Sequence, residues 1–186
     1  MEDARRELPV DENGWATGVV TALPVDRAFS LLSPDASPCI DADRWAQAAR
    51  TSLRAVITLA VAKRYPSGAM PLADAVLVDV RPLDAEGGAA SRVRVVTVPL
   101  ERAPEVLQAA IAGADAIGGA GFDVLVARGR RLWQIDADVA GDPRAALVVT
   151  GLLAMVHLAP VLPPRGGTIF GLKGVRVRLA AEGWRC

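Results

Sequence analysis

Two neighbouring segments of this chain alternate apolar and charged residues, and this alternation limits the fold more than any other feature. The apolar positions are Val76, Val78, Val80, Val93 and Val95, and the charged positions between them are Asp79, Arg81, Arg92 and Arg94. Successive side chains of a strand point to opposite faces of a sheet, so each segment is predicted to be a strand with one apolar face. Because residues 84–88 between them contain two glycines, the segments predict a hairpin.

Three helices are predicted from the spacing of apolar residues and from the residues at their ends. Asp41 or Asp43 can cap the first, which we expect to continue to about residue 64, since Pro66 stops it. The second covers residues 103–117, with Pro104 in its first turn. The third runs from the cap Asp142 to about residue 158 and is almost wholly apolar.

The remaining strands are predicted at residues 15–23, in a second hairpin of residues 122–127 and 132–139, and in a third hairpin of residues 168–170 and 174–180. The order helix, strand, strand then occurs three times. Each of the three hairpins has one apolar and one charged or polar face, which is typical of a sheet covered on one side only. The predicted fold class is therefore α+β with two layers, a mostly antiparallel or mixed sheet and three main helices on one face.

A chain of 186 residues predicts one compact domain. Residues 1–14 are expected to be a flexible polar segment, and residues 15–186 a single α+β domain. The N-terminal residues are charged and no apolar region follows them, so no secretory signal is expected and the predicted location is cytoplasmic. Arginine outnumbers lysine strongly, since Lys63 and Lys173 are the only lysines, which is typical of a bacterial protein from a GC-rich genome.

Charge balance and aromatic content argue against a nucleic-acid partner, and the length of the one long apolar segment argues against a membrane partner. The 21 basic and 21 acidic side chains cancel, whereas nucleic-acid binding needs a basic excess, and the four tryptophans are widely spaced. Residues 145–162 are apolar, but prolines at positions 160, 163 and 164 shorten this segment below the roughly 20 residues of a membrane span. We therefore expect neither a nucleic-acid nor a membrane partner.

The loop Arg165-Gly166-Gly167-Thr168, together with Lys173, is the candidate site for an anion. Glycines allow backbone amides to turn toward a ligand, arginine supplies a fork of donors, and threonine supplies a hydroxyl. These features suit a phosphate or a carboxylate. The alternative is an ordinary polar turn after a buried helix.

His157 and Asp136 are the candidate catalytic residues, for proton transfer. His157 is the only histidine, so the sequence offers no zinc ligand set with a second histidine or paired cysteines, and no metal is predicted, while the cofactor is left unknown. The alternatives are a hydrogen-bonded core histidine and a carboxylate that pairs with neighbouring arginines.

Two hypotheses for the function follow. In the first, the protein binds, and in one version also transforms, a small anionic metabolite. In the second, it is a non-catalytic assembly protein that forms a homo-oligomer. The charged face of the sheet leaves three interpretations open, namely a solvated surface, a subunit interface and a groove for an anion. The sequence does not decide whether the protein is an enzyme.

Overall fold

The computed structural model describes residues 18–36, 40–59, 73–84, 88–139 and 141–185. The predicted flexible segment, residues 1–14, lies outside these ranges. The strands are β1 (Ala28–Ser33), β2 (Ala55–Leu59), β3 (Asp74–Pro82), β4 (Ser91–Pro99), β5 (Arg131–Asp136) and β6 (Val161–Leu162). The helices are α1 (Ala42–Leu53), α2 (Pro104–Asp115), α3 (Phe122–Ala127), α4 (Arg144–Val156) and α5 (Leu172–Ala181). The fold is therefore α+β, as predicted.

All six described strands belong to one antiparallel sheet, in the order β2-β3-β4-β5-β1-β6. The predicted hairpin of β3 and β4 is confirmed. Its register places Asp79 opposite Arg92 and Val78 opposite Val93. Charged side chains of the two strands therefore share one face of the sheet, and apolar side chains share the other. The alternation in the sequence therefore reports the real faces of these strands.

Helices pack on both faces of the sheet, which differs from the predicted two-layer arrangement. On one face, α1, α4 and α5 bury a core that includes Leu31 and Trp133. On the other face, α2 and α3 bury a second core that includes Leu32 and Leu132. Leu31 and Leu32 are consecutive in β1, so the two cores lie on opposite sides of one strand. The second face is charged at Arg92 and Arg94 of β4 but becomes apolar further along the same strand, at Val96 and Val98. The alternation of apolar and charged residues therefore does not predict this part of the second core.

The first helix ends eleven residues earlier than predicted. Asp41 is its N-cap and accepts a hydrogen bond from the Arg44 amide, but Arg54 adopts a left-handed conformation with φ of 48° and stops the helix. The chain then forms β2, which pairs with β3. Val56 and Ile57 fit helical spacing as well as strand alternation, and only the pairing with β3 selects the strand.

Three other predicted strands are wrong, and the threefold helix-strand-strand order is therefore not confirmed. Residues 122–127 form α3, and residues 174–180 lie within α5. The described part of segment 15–23 contains no strand, and the first strand instead follows Pro24, at Ala28–Ser33. In α5, the buried residues Val175 and Leu179 are four apart, so a helix buries both as well as a strand would.

The predicted apolar helix is confirmed as α4, which runs from Arg144 to Val156, but its N-cap is Pro143 and not the predicted Asp142. Ten of its thirteen residues are buried, against the sheet and between α1 and α5. Among the described residues, no helix has both the length and the apolarity that a membrane crossing requires.

Candidate functional site

His157 lies at the C-terminal end of α4, on the face of the sheet that α1 covers. Its imidazole ring stacks on the indole ring of Trp133, with the ring centroids 4.7 Å apart and the planes inclined by 21°. Trp45 of α1 meets Trp133 edge-on, with centroids 5.9 Å apart. The three rings thus connect α1, β5 and the end of α4.

Burial lowers the pKa of His157 from 6.5 to about 4, because the charged imidazolium loses its water. Asp35 opposes this shift and Arg44 adds to it, both through their charges. His157 is therefore neutral at pH 7. A base with so low a pKa accepts a proton weakly at that pH, which does not favour the predicted role in proton transfer.

Asp136 lies on the opposite face of the sheet from His157. Trp133 and Asp136 are three positions apart in β5, so their side chains point to opposite faces, and His157 stacks on Trp133. The Asp136 carboxylate is buried between two arginines, with Oδ2 3.4 Å from Arg27 Nη2 and 3.9 Å from Arg94 Nη1. The structure thus separates the two predicted catalytic residues and surrounds Asp136 with positive charge.

The loop that contains Arg165 uses part of its backbone to hold the fold. The Arg165 amide donates to the Val25 carbonyl, and the Gly166 amide donates to the Pro163 carbonyl. Gly166 and Gly167 have φ of 72° and 104°, which glycine adopts without strain. Two of the amides expected to face an anion are therefore already hydrogen bonded within the protein.

The same loop packs tightly against α2. A Cβ atom on Gly113 would lie 2.6 Å from the Gly167 carbonyl oxygen, closer than real Cβ atoms come to any such atom. Gly113 thus allows the helix and the loop backbone to touch. This contact gives the backbone of the loop a packing function that needs no ligand.

Lys173 lines a separate groove on the surface of α5. Lys173, Arg176, Val177 and Ala180 follow helical spacing, so they form one exposed face, while Val175 and Leu179 of the same helix are buried. The groove is open, with a volume of about 1020 Å³, and none of residues 165–168 lines it. Lys173 is therefore not brought together with the predicted glycine loop.

The other wall of this groove comes from two turns of the sheet and from the C-terminal segment. Arg54, at the end of α1, places Nη2 2.7 Å from Asp84 Oδ1, just beyond β3. Trp184 anchors the C-terminal segment, because its indole N–H donates to the Leu53 carbonyl at 2.8 Å. Arg185 follows at the rim of the groove. We call this surface the basic groove; its charged lining residues are Arg54, Asp84, Lys173, Arg176 and Arg185.

The basic groove was missed in the sequence because α5 was interpreted as a strand. In that interpretation Lys173 lies in the turn before the strand and Arg176 lies within it. The spacing of Lys173, Arg176 and Ala180 at three and four residues was the signal for a shared helical face. Arg54 and Asp84 are distant in sequence, and the antiparallel pairing of β2 with β3 brings them together.

A cavity of about 300 Å³ lies between α2 and α3 and is mostly apolar. Leu107, Ile111 and Val126 line its walls, and the charged residues that reach it, among them Arg130, are exposed. A ligand site normally adds a few placed polar groups to such walls. This cavity offers none that is buried, so we assign it no function.

Among the described residues, no group of three histidine, cysteine or acidic side chains is arranged to hold a metal ion. Comparisons with protein-family models, with curated proteins and with solved structures find no match to this chain.

Proposed function

We propose that the protein binds a small anionic molecule in the basic groove. The observation that carries this proposal is the charge of the groove, where four of the five charged side chains in the lining are cationic. The chain as a whole has no net charge, so this concentration of positive charge is local. A groove lined by one sign of charge attracts ligands of the opposite sign.

The ligand that fits best carries at least two negative charges. A single exposed ion pair contributes only about 0–1 kcal/mol, since water and salt screen it. Arg54 is already engaged by Asp84, whereas Lys173, Arg176 and Arg185 have no ion-pair partner among the described residues. Several weak contacts to one multiply charged ligand add up, so diphosphates and di- or tricarboxylates are favoured over monoanions.

Calorimetric titration with pyrophosphate and with citrate tests the proposal. Acetate serves as the singly charged comparison. We expect saturable binding of one molecule per chain at an ionic strength of about 0.01 M, where charges act over about 30 Å, and weaker binding at about 0.15 M. The double variant Lys173→Glu/Arg176→Glu should weaken the affinity at least tenfold, because both side chains are exposed in the groove.

The matched control is Arg128→Glu/Arg165→Glu, which makes the same change of charge at exposed positions outside the groove. It should retain the affinity of the unaltered protein to within about twofold. If the control loses binding and the groove variant keeps it, the site is the Arg165 loop and the groove proposal is wrong. The proposal is also wrong if neither pyrophosphate nor citrate gives saturable heat.

A second candidate function is self-association through the charged face of the sheet. It is favoured by Val56 and Leu77, which lie half-buried beside Asp79, Arg81 and Arg92 and belong to neither of the two cores. Light scattering at several concentrations tests it. A dimer or larger species that Arg81→Glu/Arg92→Glu dissociates would support this function, and a monomer at all concentrations would contradict it.

A further inference from the structure

A smaller pocket, which we call the side pocket, adjoins the basic groove. Its volume is about 220 Å³, and five of its seven lining residues also line the groove. Pro82, at the end of β3, and Arg144, at the start of α4, line the side pocket alone. The residues of the shared rim are Arg54, Asp84, Gly183, Trp184 and Arg185. Because the groove and the side pocket are both open to solvent, one ligand can extend over this rim from one to the other.

Hydrogen bonds fix the shared rim in place. The Trp184 amide donates to the Leu179 carbonyl at 2.8 Å, and its indole N–H donates to the Leu53 carbonyl at 2.8 Å. Cζ of Arg144 lies 5.5 Å from the centroid of the Trp184 ring. Groups that are already held in position lose little freedom when a ligand binds. The rim is therefore preorganised to separate two parts of one ligand.

The groove and the side pocket differ in the charge that they offer a ligand. Lys173 and Arg176, which line only the groove, have no ion-pair partner among the described residues. Arg144 in the side pocket is already paired, with Nη2 2.7 Å from Asp142 Oδ2. Arg185 is also unpaired within the described chain, but it belongs to the shared rim. The side pocket thus adds no unpaired charge of its own.

The polar groups of the side pocket suit hydroxyl groups. Arginine has five N–H groups, and the hydrogen bonds of Arg54 and Arg144 leave some of these free to donate. The Asp84 carboxylate is 60% exposed and can accept more than its bond from Arg54. A hydroxyl both donates and accepts, so it serves both kinds of group. A second anionic group would instead face Asp84, and an alkyl chain would displace water from these polar groups without replacing its hydrogen bonds.

We propose that the ligand of the basic groove is a sugar phosphate, with its phosphate beside Lys173 and Arg176 and its hydroxyl groups in the side pocket. This inference rests on the proposed function, since it names the ligand class of the same site. A phosphate ester carries nearly two negative charges at pH 7, which matches the unpaired cations of the groove. The side pocket is smaller than the roughly 300–1,000 Å³ of sites for drug-sized ligands, which suits a single sugar ring.

Calorimetric titration with glucose 6-phosphate, hexyl phosphate and inorganic phosphate tests this inference, at the ionic strength of about 0.01 M used for pyrophosphate. The three probes share a phosphate and differ in what it carries, namely a hydroxylated ring, an apolar chain or nothing. We expect glucose 6-phosphate to bind at least tenfold more tightly than either of the others. A fourth probe, 6-phosphogluconate, adds a carboxylate at the far end. It should gain no more than about fivefold over glucose 6-phosphate, the limit of one exposed ion pair.

The variant Pro82→Trp fills the side pocket from a residue that does not line the groove. It should lower the affinity for glucose 6-phosphate to within threefold of that for inorganic phosphate, and leave the affinity for pyrophosphate within twofold. Pro99→Trp is the matched control, because Pro99 also ends a strand, is also half-buried and lines neither the groove nor the side pocket. This control should keep the full preference for glucose 6-phosphate.

The comparison of probes in the unaltered protein does not depend on the folding of any variant. If pyrophosphate binds but glucose 6-phosphate binds no better than inorganic phosphate or hexyl phosphate, the sugar phosphate inference is wrong and the proposed function stands. A gain of more than about fivefold with 6-phosphogluconate would overturn the inference too, because the side pocket would then take a second charge. If no probe binds, pyrophosphate and citrate included, the proposed function is wrong and this inference falls with it.

Discussion

The His157 imidazole stacks on the Trp133 indole at a centroid distance of 4.7 Å, which fixes the end of α4 against the centre of the sheet. Trp133 is fully buried, and Trp45 packs against it from α1. The histidine therefore belongs to an aromatic cluster that connects three elements. Its neutral form is the one that this apolar position tolerates, so protonation and folding are coupled.

The first prediction concerns this coupling. The folded-state pKa of His157, about 4, lies below the ordinary value of 6.5, so between these values the unfolded chain binds the proton more readily. The contribution of neutral His157 to the free energy of unfolding is complete above pH 6.5 and is lost as the pH falls toward 4. A shift of this size corresponds to a loss on the order of 3 kcal/mol. Urea unfolding at several pH values from 7 to 4 measures it.

His157→Gln is the control for this prediction, since glutamine does not titrate. The variant should lose less stability than the unaltered protein over the same pH range, because the carboxylates titrate equally in both. Equal losses would show that His157 does not cause the acid sensitivity. The imidazole signal in NMR should titrate with a midpoint near pH 4, and a midpoint near 6.5 would contradict the burial argument.

The second prediction concerns the start of α4. The Asp142 carboxylate accepts a hydrogen bond from the Arg144 amide at 2.9 Å and another from Arg144 Nη2 at 2.7 Å. These hydrogen bonds lower the pKa of Asp142. Asp142→Ala should reduce the free energy of unfolding by about 1 kcal/mol, because the amide and the guanidinium of Arg144 both lose their acceptor. Asp142→Asn, which can still accept the amide hydrogen bond, should cost less, and thermal unfolding of the two variants decides.

The parts of the fold that were predictable are those in which local pattern and tertiary contact agree. The hairpin of β3 and β4 was predicted because each strand alternates over many residues. The helix α2 was predicted because Pro104 and the glycines after it mark both ends. The strand β2 was not, because nothing in residues 55–59 distinguishes a strand from more helix until β3 pairs with it. In α3 and α5, valines at alternate positions favoured strands, and the packing of α3 on α2 and of α5 on α4 prevailed over that preference.

The third prediction concerns the contact between α2 and the loop at residues 165–168. Alanine is normally about 1 kcal/mol better than glycine inside a helix. At Gly113 we expect glycine to be more stable than alanine, since the methyl group of alanine would lie 2.6 Å from the Gly167 carbonyl oxygen. We expect Gly113→Ala to destabilise the protein by about 2 kcal/mol or more.

The exposed neighbour Ala112 supplies the comparison, because Ala112→Gly should show the ordinary helical cost of about 1 kcal/mol. Chemical denaturation of both variants tests the pair. A Gly113→Ala protein that is as stable as the unaltered one, or more so, would mean that the loop does not pack on the helix as described.

The candidate site was predictable only in part. The proposed class of ligand rests on arginines and a lysine that the sequence shows, but which of them line the basic groove together depends on how distant elements pack. Lys173 lines the basic groove with Arg54 because α5 packs on α4 and Trp184, which follows α5, donates a hydrogen bond to the Leu53 carbonyl, while the adjacent Arg165 loop packs on α2 instead. His157 and Asp136 are predicted from the sequence to transfer protons, but burial keeps His157 neutral and Asp136 lies between two arginines.

The last prediction separates a structural from a catalytic role for Asp136 by comparing it with Asp79 on the same face of the sheet. The side chain of Asp136 is 5% exposed and lies near Arg27 and Arg94, whereas that of Asp79 is 28% exposed and pairs with Arg92. Removing one partner of a buried charge pair leaves the other charge desolvated and costs about 3–5 kcal/mol. Breaking an exposed pair costs about 0–1 kcal/mol.

Asp136→Ala should destabilise the protein by about 2 kcal/mol, less than for a fully buried pair because Arg27 and Arg94 are 48% and 24% exposed, and Asp79→Ala by less than about 1 kcal/mol. Urea denaturation measures both values, and calorimetry should find the affinity for pyrophosphate unchanged in each variant, since neither residue lines the basic groove. Equal stability losses would mean that the burial of Asp136 has no energetic consequence. A stable Asp136→Ala protein that no longer binds pyrophosphate would return Asp136 to the functional site.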